Sequence, residues 1–241
     1  MNNIILHKPQ YAISQITSGF KKCNLESSNK LLGDLKLVTN EYGKYNEFFR
    51  TQILDKNENV LGEEIFALEN SGKNLFGFDI VVNKELRKIG ARLGELLRLS
   101  SIIEMLENNI PFLDIMSKGS AVYFHSKYKF EPEIRSFDQL RYALNSIIEH
   151  SKDKYEDFAP EAKKLYEIID KDENILNLMD ARKKANELIK KYITKVMNEK
   201  ADYKDHSFVL GFNMRLNKDS IIENKDFFNK LFENHGIDYK I

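Results

Sequence analysis

Residues 82–94, VNKELRKIGARLG, gather the residue types that hold a pyrophosphate. They join an apolar run, LFGFDIVV at 75–82, to a leucine-rich segment, which reads as a strand turning into a helix. Such a turn exposes backbone N–H groups with no intrahelical partner, at the positive end of the helix dipole. Gly90 lets the backbone curl closely, and Arg87, Lys88 and Arg92 supply positive charge. The spacing matches neither a Walker A loop nor GxGxxG, so a nucleotide triphosphatase or a dinucleotide fold is not indicated. The plain alternative is a solvated turn with its charges at the surface.

Groups that could move a proton are fewer. Asp79 is the one interior charge of the apolar strand, which makes it the candidate for a perturbed pKa and a general base. Glu63 and Glu64 lie on the preceding strand, where surface or ion-paired carboxylates explain them at least as well. Cys23 is the only cysteine and has no histidine near it in sequence, so it reads as a packed or surface thiol in a reducing compartment. His7, His125, His150, His206 and His235 show no HExxH or comparable spacing, and no metal is expected.

Composition narrows the partners. Lys plus Arg and Asp plus Glu number 37 each in 241 residues, so no global field attracts nucleic acid or an anionic membrane. The basic residues at 182–184 and 190–191 are diluted by acidic neighbours and have no aromatic platform, which describes a solvated helix face. No apolar run approaches the roughly 20 residues that span a bilayer, and residues 1–10 lack the pattern of a secretory signal. A cytoplasmic protein without nucleic-acid or membrane partners is expected.

The elements that must position the turn follow from periodicity. Residues 47–55 (EFFRTQILD) and 60–69 (VLGEEIFALE) read as a hairpin. The run 75–82 suits a central strand covered on both faces, with Gly77 marking a bulge or a close approach. One long helix then carries Ile89, Leu93, Leu96, Leu97, Ile103 and Leu106 as a stripe, until Asn108, Asn109 and Pro111 stop it. A strand at 111–116 and a short helix within 120–130 follow. Upstream, 27–37 is helix or strand without a deciding signal. Beyond Arg135 the chain turns helical: Ser136-x-x-Gln139 has the form of a capping box, 160–170 and 177–198 are amphipathic, and Gly236 sits as the C′ residue of a last helix. Between these, HSFVLGFNMRLN at 206–217 alternates, with Phe208, Leu210, Phe212, Met214 and Leu216 facing one way.

Two stretches together resemble the GNAT superfamily of N-acetyltransferases. The first is Val82-x-x-x-x-Arg87-x-x-Gly90, similar to that family's R/Q-x-x-G-x-G/A acyl-CoA loop. The second is AVYFHSKYKF at 121–130, similar to its late-helix pattern A-x-x-F-Y-x-x-x-G-F. They lie on either side of one short strand, as that topology requires, and the resemblance covers about residues 47–132.

The resemblance implies an α/β (α+β layered) fold: a GNAT-like mixed sheet flanked by helices in 1–135, with 136–241 as a mainly helical C-terminal extension holding one or more strands. It implies acetyl-CoA as co-substrate, no metal, and acetyl transfer to a primary amine on a small molecule or peptide. The backbone of Ile80, Val81 and Val82 would bind the pantetheine arm. The N–H groups of Lys88, Ile89, Gly90, Ala91 and Arg92 would hold the pyrophosphate, with Arg87 beside them. Four positions depart from the pattern: counted from Arg87, Arg92 falls on the family's last glycine or alanine, Lys118 replaces a frequent asparagine, His125 the usual tyrosine acid, and Lys129 a glycine. His125 can still protonate a thiolate, because its ordinary pKa of about 6.5 lies nearer neutrality than tyrosine's. Its alternative is to line the pocket while water carries the proton. The competing class is a non-catalytic acyl-CoA-binding or interaction module on the same fold. The apolar face of the strand at 206–217 must be buried, so the strand adds to the core sheet or builds a second small lobe, which would cover the acceptor side or contact a second copy in a homodimer.

Overall fold

The computed structural model describes residues 20–22, 24–43, 48–151, 155–172 and 174–241. Segment 1–10, His7, Cys23 and Glu47 lie outside the described residues. The chain forms two compact units, Met1–Leu113 with Asn217–Ile241, and Asp114–Leu216. Both mix strands and helices, the α/β arrangement the sequence implies.

The first unit opens with an antiparallel meander of β1 (Asn24–Asn29), β2 (Gly33–Tyr42), β3 (Phe48–Leu54), β4 (Val60–Glu69) and β5 (Asn74–Val82), each paired with the next. The undecided segment 27–37 is therefore hairpin: Leu35, Leu37 and Thr39 point inward, and the charged residues between and before them point out. Phe49 stands opposite Phe66 and Ile53 opposite Gly62, the pairing that alternation predicts for β3 and β4. β5 is not covered on both faces, since Phe78, Asp79 and Val81 are exposed. Its register shifts where Ile65 faces Asp79 and Phe66 faces Gly77, leaving Phe78 as the extra residue of a bulge. The apolar run that suggested a doubly covered strand is partly this bulge.

After β5 the expected single helix is two, α1 (Lys84–Lys88) and α2 (Leu93–Glu107). α2 lies over β3, β4 and β5 and buries Leu93, Leu96, Leu97, Leu99 and Ile103. Its other faces are buried as well, carrying Glu95, Arg98, Ser101 and Glu104 inside.

The second unit contains β6 (Phe112–Gly119), α3 (Ala121–Lys127), β7 (Glu131–Pro132), α4 (Phe137–His150), α5 (Phe158–Lys171), α6 (Ile175–Asn198) and β8 (Phe208–Asn217). β8 lies between β6 and β7 and runs antiparallel to β7, with Pro132 opposite Met214. Helices α4, α5 and α6 pack on one another through Leu140, Leu144, Ile147, Leu165, Ile169 and Ile189. Ser136 caps α4 by accepting from the Gln139 amide at 3.4 Å, as the capping box predicts. This helical segment stands between two strands that pair with each other. In β8, Phe208, Phe212, Met214 and Leu216 are buried, but Leu210 is exposed beside Val209. The alternation lapses just before Gly211, where a Cβ would sit 3.2 Å from Met116 Sδ and 3.3 Å from the Ser117 carbonyl.

The chain then returns to the first unit through α7 (Lys218–Glu223) and α8 (Lys225–Asn234). Gly236 (φ +61°) donates to the Glu233 carbonyl at 3.0 Å, and Ile237 donates to Phe232 at 2.9 Å, a Schellman closure of α8. A Cβ at Gly236 would lie 2.8 Å from the Ser28 amide, so space and backbone angle both require glycine. Ser27 Oγ and the Ser28 amide donate to the His235 carbonyl at 2.6 and 3.2 Å, pinning this end of the chain to β1. Among the described residues no helix is long and apolar enough to cross a membrane. No cluster of His, Cys, Asp and Glu suited to a metal ion occurs among them either.

Candidate functional site

The turn between β5 and α2 is built by two left-handed residues. Asn83 caps α1 by accepting from the amides of Glu85 at 3.0 Å and Leu86 at 3.5 Å. The helix closes after one turn because Gly90 takes φ +75°. Gly90 then donates to Arg87 O and Ala91 to Leu86 O, both at 3.2 Å, a second Schellman closure. Arg92, also left-handed at φ +54°, starts α2. Gly90 thus ends a helix, and nothing lies within 4 Å of where its Cβ would be.

This closure decides which amides are available. Those of Ile89, Gly90 and Ala91 already donate inside the turn, Ile89 to Glu85 O at 3.3 Å. The amides of Leu93 and Gly94, which open α2, have no carbonyl of the same helix ahead of them, whereas those of Glu95 and Leu96 donate to the Arg92 carbonyl at 3.1 and 3.2 Å. Residues of opposite hand side by side, such as Arg92 and Leu93, direct successive N–H groups toward one concavity. Gly94 lies over the strand end, with Ile80 Cγ2 3.8 Å and Val82 Cγ2 4.0 Å from where a Cβ would stand. Of the strand residues, Val82 is buried, Ile80 half-buried and Val81 exposed.

The turn's charges are uneven. Lys88 Nζ pairs with Glu85 at 2.9 Å, both side chains exposed. Arg92 has its guanidinium 4.0 Å from the Glu95 carboxylate, with the side chain 69% exposed. Arg87 is exposed. The Asn29 side chain donates to the Ala91 carbonyl at 2.9 Å and accepts from the Leu31 and Leu32 amides, which ties the β1–β2 turn to this one. Between the two turns lies a cleft of about 430 Å³, lined by residues 28–31, 90–92, Asn234 and His235. Asp79 is exposed on β5, opposite Ile65.

Lys118 and His125 belong to the second unit. Lys118 is exposed near the end of β6. His125 is buried on α3, its ring edge-on to Phe124 at 5.0 Å and to Phe130 at 5.7 Å. On the same helix the Tyr123 hydroxyl donates to the His206 carbonyl at 2.7 Å, and its ring stacks on Tyr203 at 4.5 Å. Tyr192 Oη lies 2.8 Å from His206 Nδ1, with Tyr155 and His150 rings packed around the same imidazole. Burial pushes both the Tyr123 and Tyr192 phenols up, so they remain hydroxyls at neutral pH. Sequence reasoning did not assemble this group, because it draws on α3, α4, α6 and the approach to β8, and no local spacing links them.

Glu64, a candidate base by sequence, is buried against α2. Arg98 donates to it at 2.8 Å and the Ser101 hydroxyl at 2.5 Å. Burial pushes its carboxyl up against the pull of Arg98. Glu64 is a structural ion pair facing the core, away from solvent.

No family profile matches the sequence, and no curated protein matches it. The structure is similar to solved structures of GNAT-family acetyltransferases. One from Desulfovibrio desulfuricans matches with TM-score 0.33 and 13% identity, over 36% of this chain and 58% of that one. One from Staphylococcus aureus Mu50 matches with TM-score 0.32 and 22% identity, over 36% of this chain and 55% of that one. A spermidine N-acetyltransferase from Vibrio cholerae matches with TM-score 0.32 and 15% identity, over 36% and 52%. The chain therefore spans little more than half the length of these proteins.

Proposed function

We propose that the chain binds acyl-CoA at the turn between β5 and α2 and transfers the acetyl group of acetyl-CoA to a primary amine on a small molecule or peptide. The observation that carries this reading is the hand reversal at Arg92 and Leu93, which leaves the first amides of α2 to meet an anion. Arg87, Lys88 and Arg92 add charge there, and the backbone of Ile80, Val81 and Val82 would take the pantetheine arm. In this reading the pyrophosphate sits one turn further along than the sequence motif suggests. The Schellman closure occupies the amides of Ile89, Gly90 and Ala91.

The transfer joins the amine nitrogen to the thioester carbon and breaks its C–S bond; the amine loses a proton and the departing thiolate gains one. Asp79 is the proposed acceptor of the first proton, and the second comes from an acid in the role that the sequence motif gives to His125. A second reading, a binder without turnover, draws support from the burial of His125 among Phe124 and Phe130, where an acid would have to be reached by the thiolate.

Calorimetric titration tests the cradle. Acetyl-CoA binds, S-acetyl-pantetheine, which lacks the pyrophosphate, binds at least about tenfold more weakly, and Arg87→Ala lowers affinity for acetyl-CoA alone. Equal affinity for the two ligands would remove the cradle from the turn. Thiol release from acetyl-CoA across an amine panel then separates enzyme from binder, and an unchanged rate in His125→Ala would assign that histidine to the pocket wall.

A further inference from the structure

In the second unit, α3 packs against α6, and beside this contact lies a cavity of about 490 Å³, within the range of small-molecule sites. Tyr123, Phe124 and Lys127 line it from one face of α3, and the turn from Ala201 to Lys204 closes the other side. Three aromatic rings meet there. Tyr123 is buried, its ring stacked on Tyr203 at 4.5 Å and 12°, and its hydroxyl donates to the His206 carbonyl at 2.7 Å. These contacts fix the turn before β8 on α3. Tyr203 and Phe124 are only half-buried, so part of each ring remains open to the cavity. The Phe124 ring is braced edge-on by His125 at 5.0 Å and Tyr128 at 5.1 Å.

The charge around these rings has a sign. Lys127 and Lys204 are exposed at the rim, with Lys127 Nζ over the Tyr128 ring at 5.7 Å. Asp202 opposes them, but its Oδ1 accepts from the Lys204 amide at 2.9 Å and closes an Asx turn. Two lysines against one aspartate leave one net positive charge. Aromatic faces that recognise a ligand cation gain nothing from lysines beside them. A flat ring carrying a single negative charge matches both the rings and the rim.

We infer that this cavity binds a small aromatic carboxylate, with its ring against Phe124, Tyr203 and Met197 and its carboxylate toward Lys127 and Lys204. The inference does not depend on the acyl-CoA reading, since none of these residues belongs to the proposed cradle.

The test is titration calorimetry on the full chain with 2-naphthoate as the probe. Two compounds of similar size serve as controls: 2-naphthylmethylamine reverses the charge, and decahydronaphthalene-2-carboxylate keeps the charge but has no aromatic face. 2-Naphthoate binds about tenfold more tightly than either. Lys127→Glu weakens 2-naphthoate about tenfold and removes its advantage over the amine. Tyr203→Ala weakens both naphthyl compounds and removes the advantage over the saturated acid. Because Tyr203 also stacks on Tyr123, circular dichroism checks the fold of that variant, and Lys127→Glu, a change at an exposed position, decides the assignment without it. No binding of 2-naphthoate, equal binding of either control, or an unchanged affinity in Lys127→Glu would each overturn it.

Discussion

At the scale of single residues, Glu64 shows how burial changes the meaning of a carboxylate. In sequence it sits beside Glu63 on an alternating strand, and either is as fit a base as the other. In the structure Glu63 is half-buried near Gln52 and Arg50, while Glu64 faces α2 and takes two hydrogen bonds inside the core. The alternation of β4 already assigned the two glutamates to opposite faces; what sequence could not supply was Arg98, which reads as one more polar position on an amphipathic helix. Removing Arg98 strands a charge that water cannot reach. Arg98→Met should lower stability by about 3–5 kcal/mol in urea denaturation, whereas the double variant Glu64→Leu with Arg98→Met should recover most of the loss. A small effect of the single change would mean that solvent reaches the Glu64 carboxylate.

At the scale of elements, the sequence was most legible where one local rule decided the outcome. The β3–β4 hairpin, the Ser136 cap and the Gly236 terminator each follow from a few neighbouring residues. The break between α1 and α2 was hidden, because it needs a left-handed arginine, a conformation an ordinary side chain rarely signals. The β1–β2 hairpin was hidden because its inward residues are interleaved with charged and polar ones in a short run. Asn186 of α6 is a third case that no pattern announces. Its side chain accepts from the Ile134 amide at 2.8 Å and donates to the Ile134 carbonyl at 3.0 Å, fastening the strand exit to the helix. Asn186→Ala leaves both backbone groups of Ile134 without these partners, and should cost about 1–3 kcal/mol in denaturation midpoint experiments. Asn186→Asp, which keeps only the accepting half, should fall between the two.

At the scale of the whole molecule, the balance of 37 basic and 37 acidic residues leaves pH dependence to particular groups rather than to net repulsion. His206 is the clearest. Burial holds its pKa below the usual 6.5, the charge of His150 adds to that, and Asp205, Asp202 and Glu199 pull the other way. A base with a depressed folded pKa takes up protons more readily when unfolded. Stability is therefore full above about pH 6.5 and falls as pH drops toward the folded value. Thermal unfolding followed from pH 8 to pH 5 should show this decline, and His206→Gln should flatten it. The depressed carboxylates of Asp55 and Asp172 act in a separate window, below 3.8, and do not mask it.

The helices of 137–198 leave the strand order at β7 and hand the chain back at β8, where Glu131 faces Arg215. Their entry and exit meet at one hydrogen-bonded pair of strands. A random coil of that length would impose an entropic penalty on the pairing that grows with the logarithm of the loop. A packed three-helix segment lowers it by fixing the path of the chain between its two ends. The segment is consequently replaceable in principle by a tight turn, or by another domain whose termini are adjacent. It is the part of the second unit that can vary in length and surface without changing the pairing of β7 with β8.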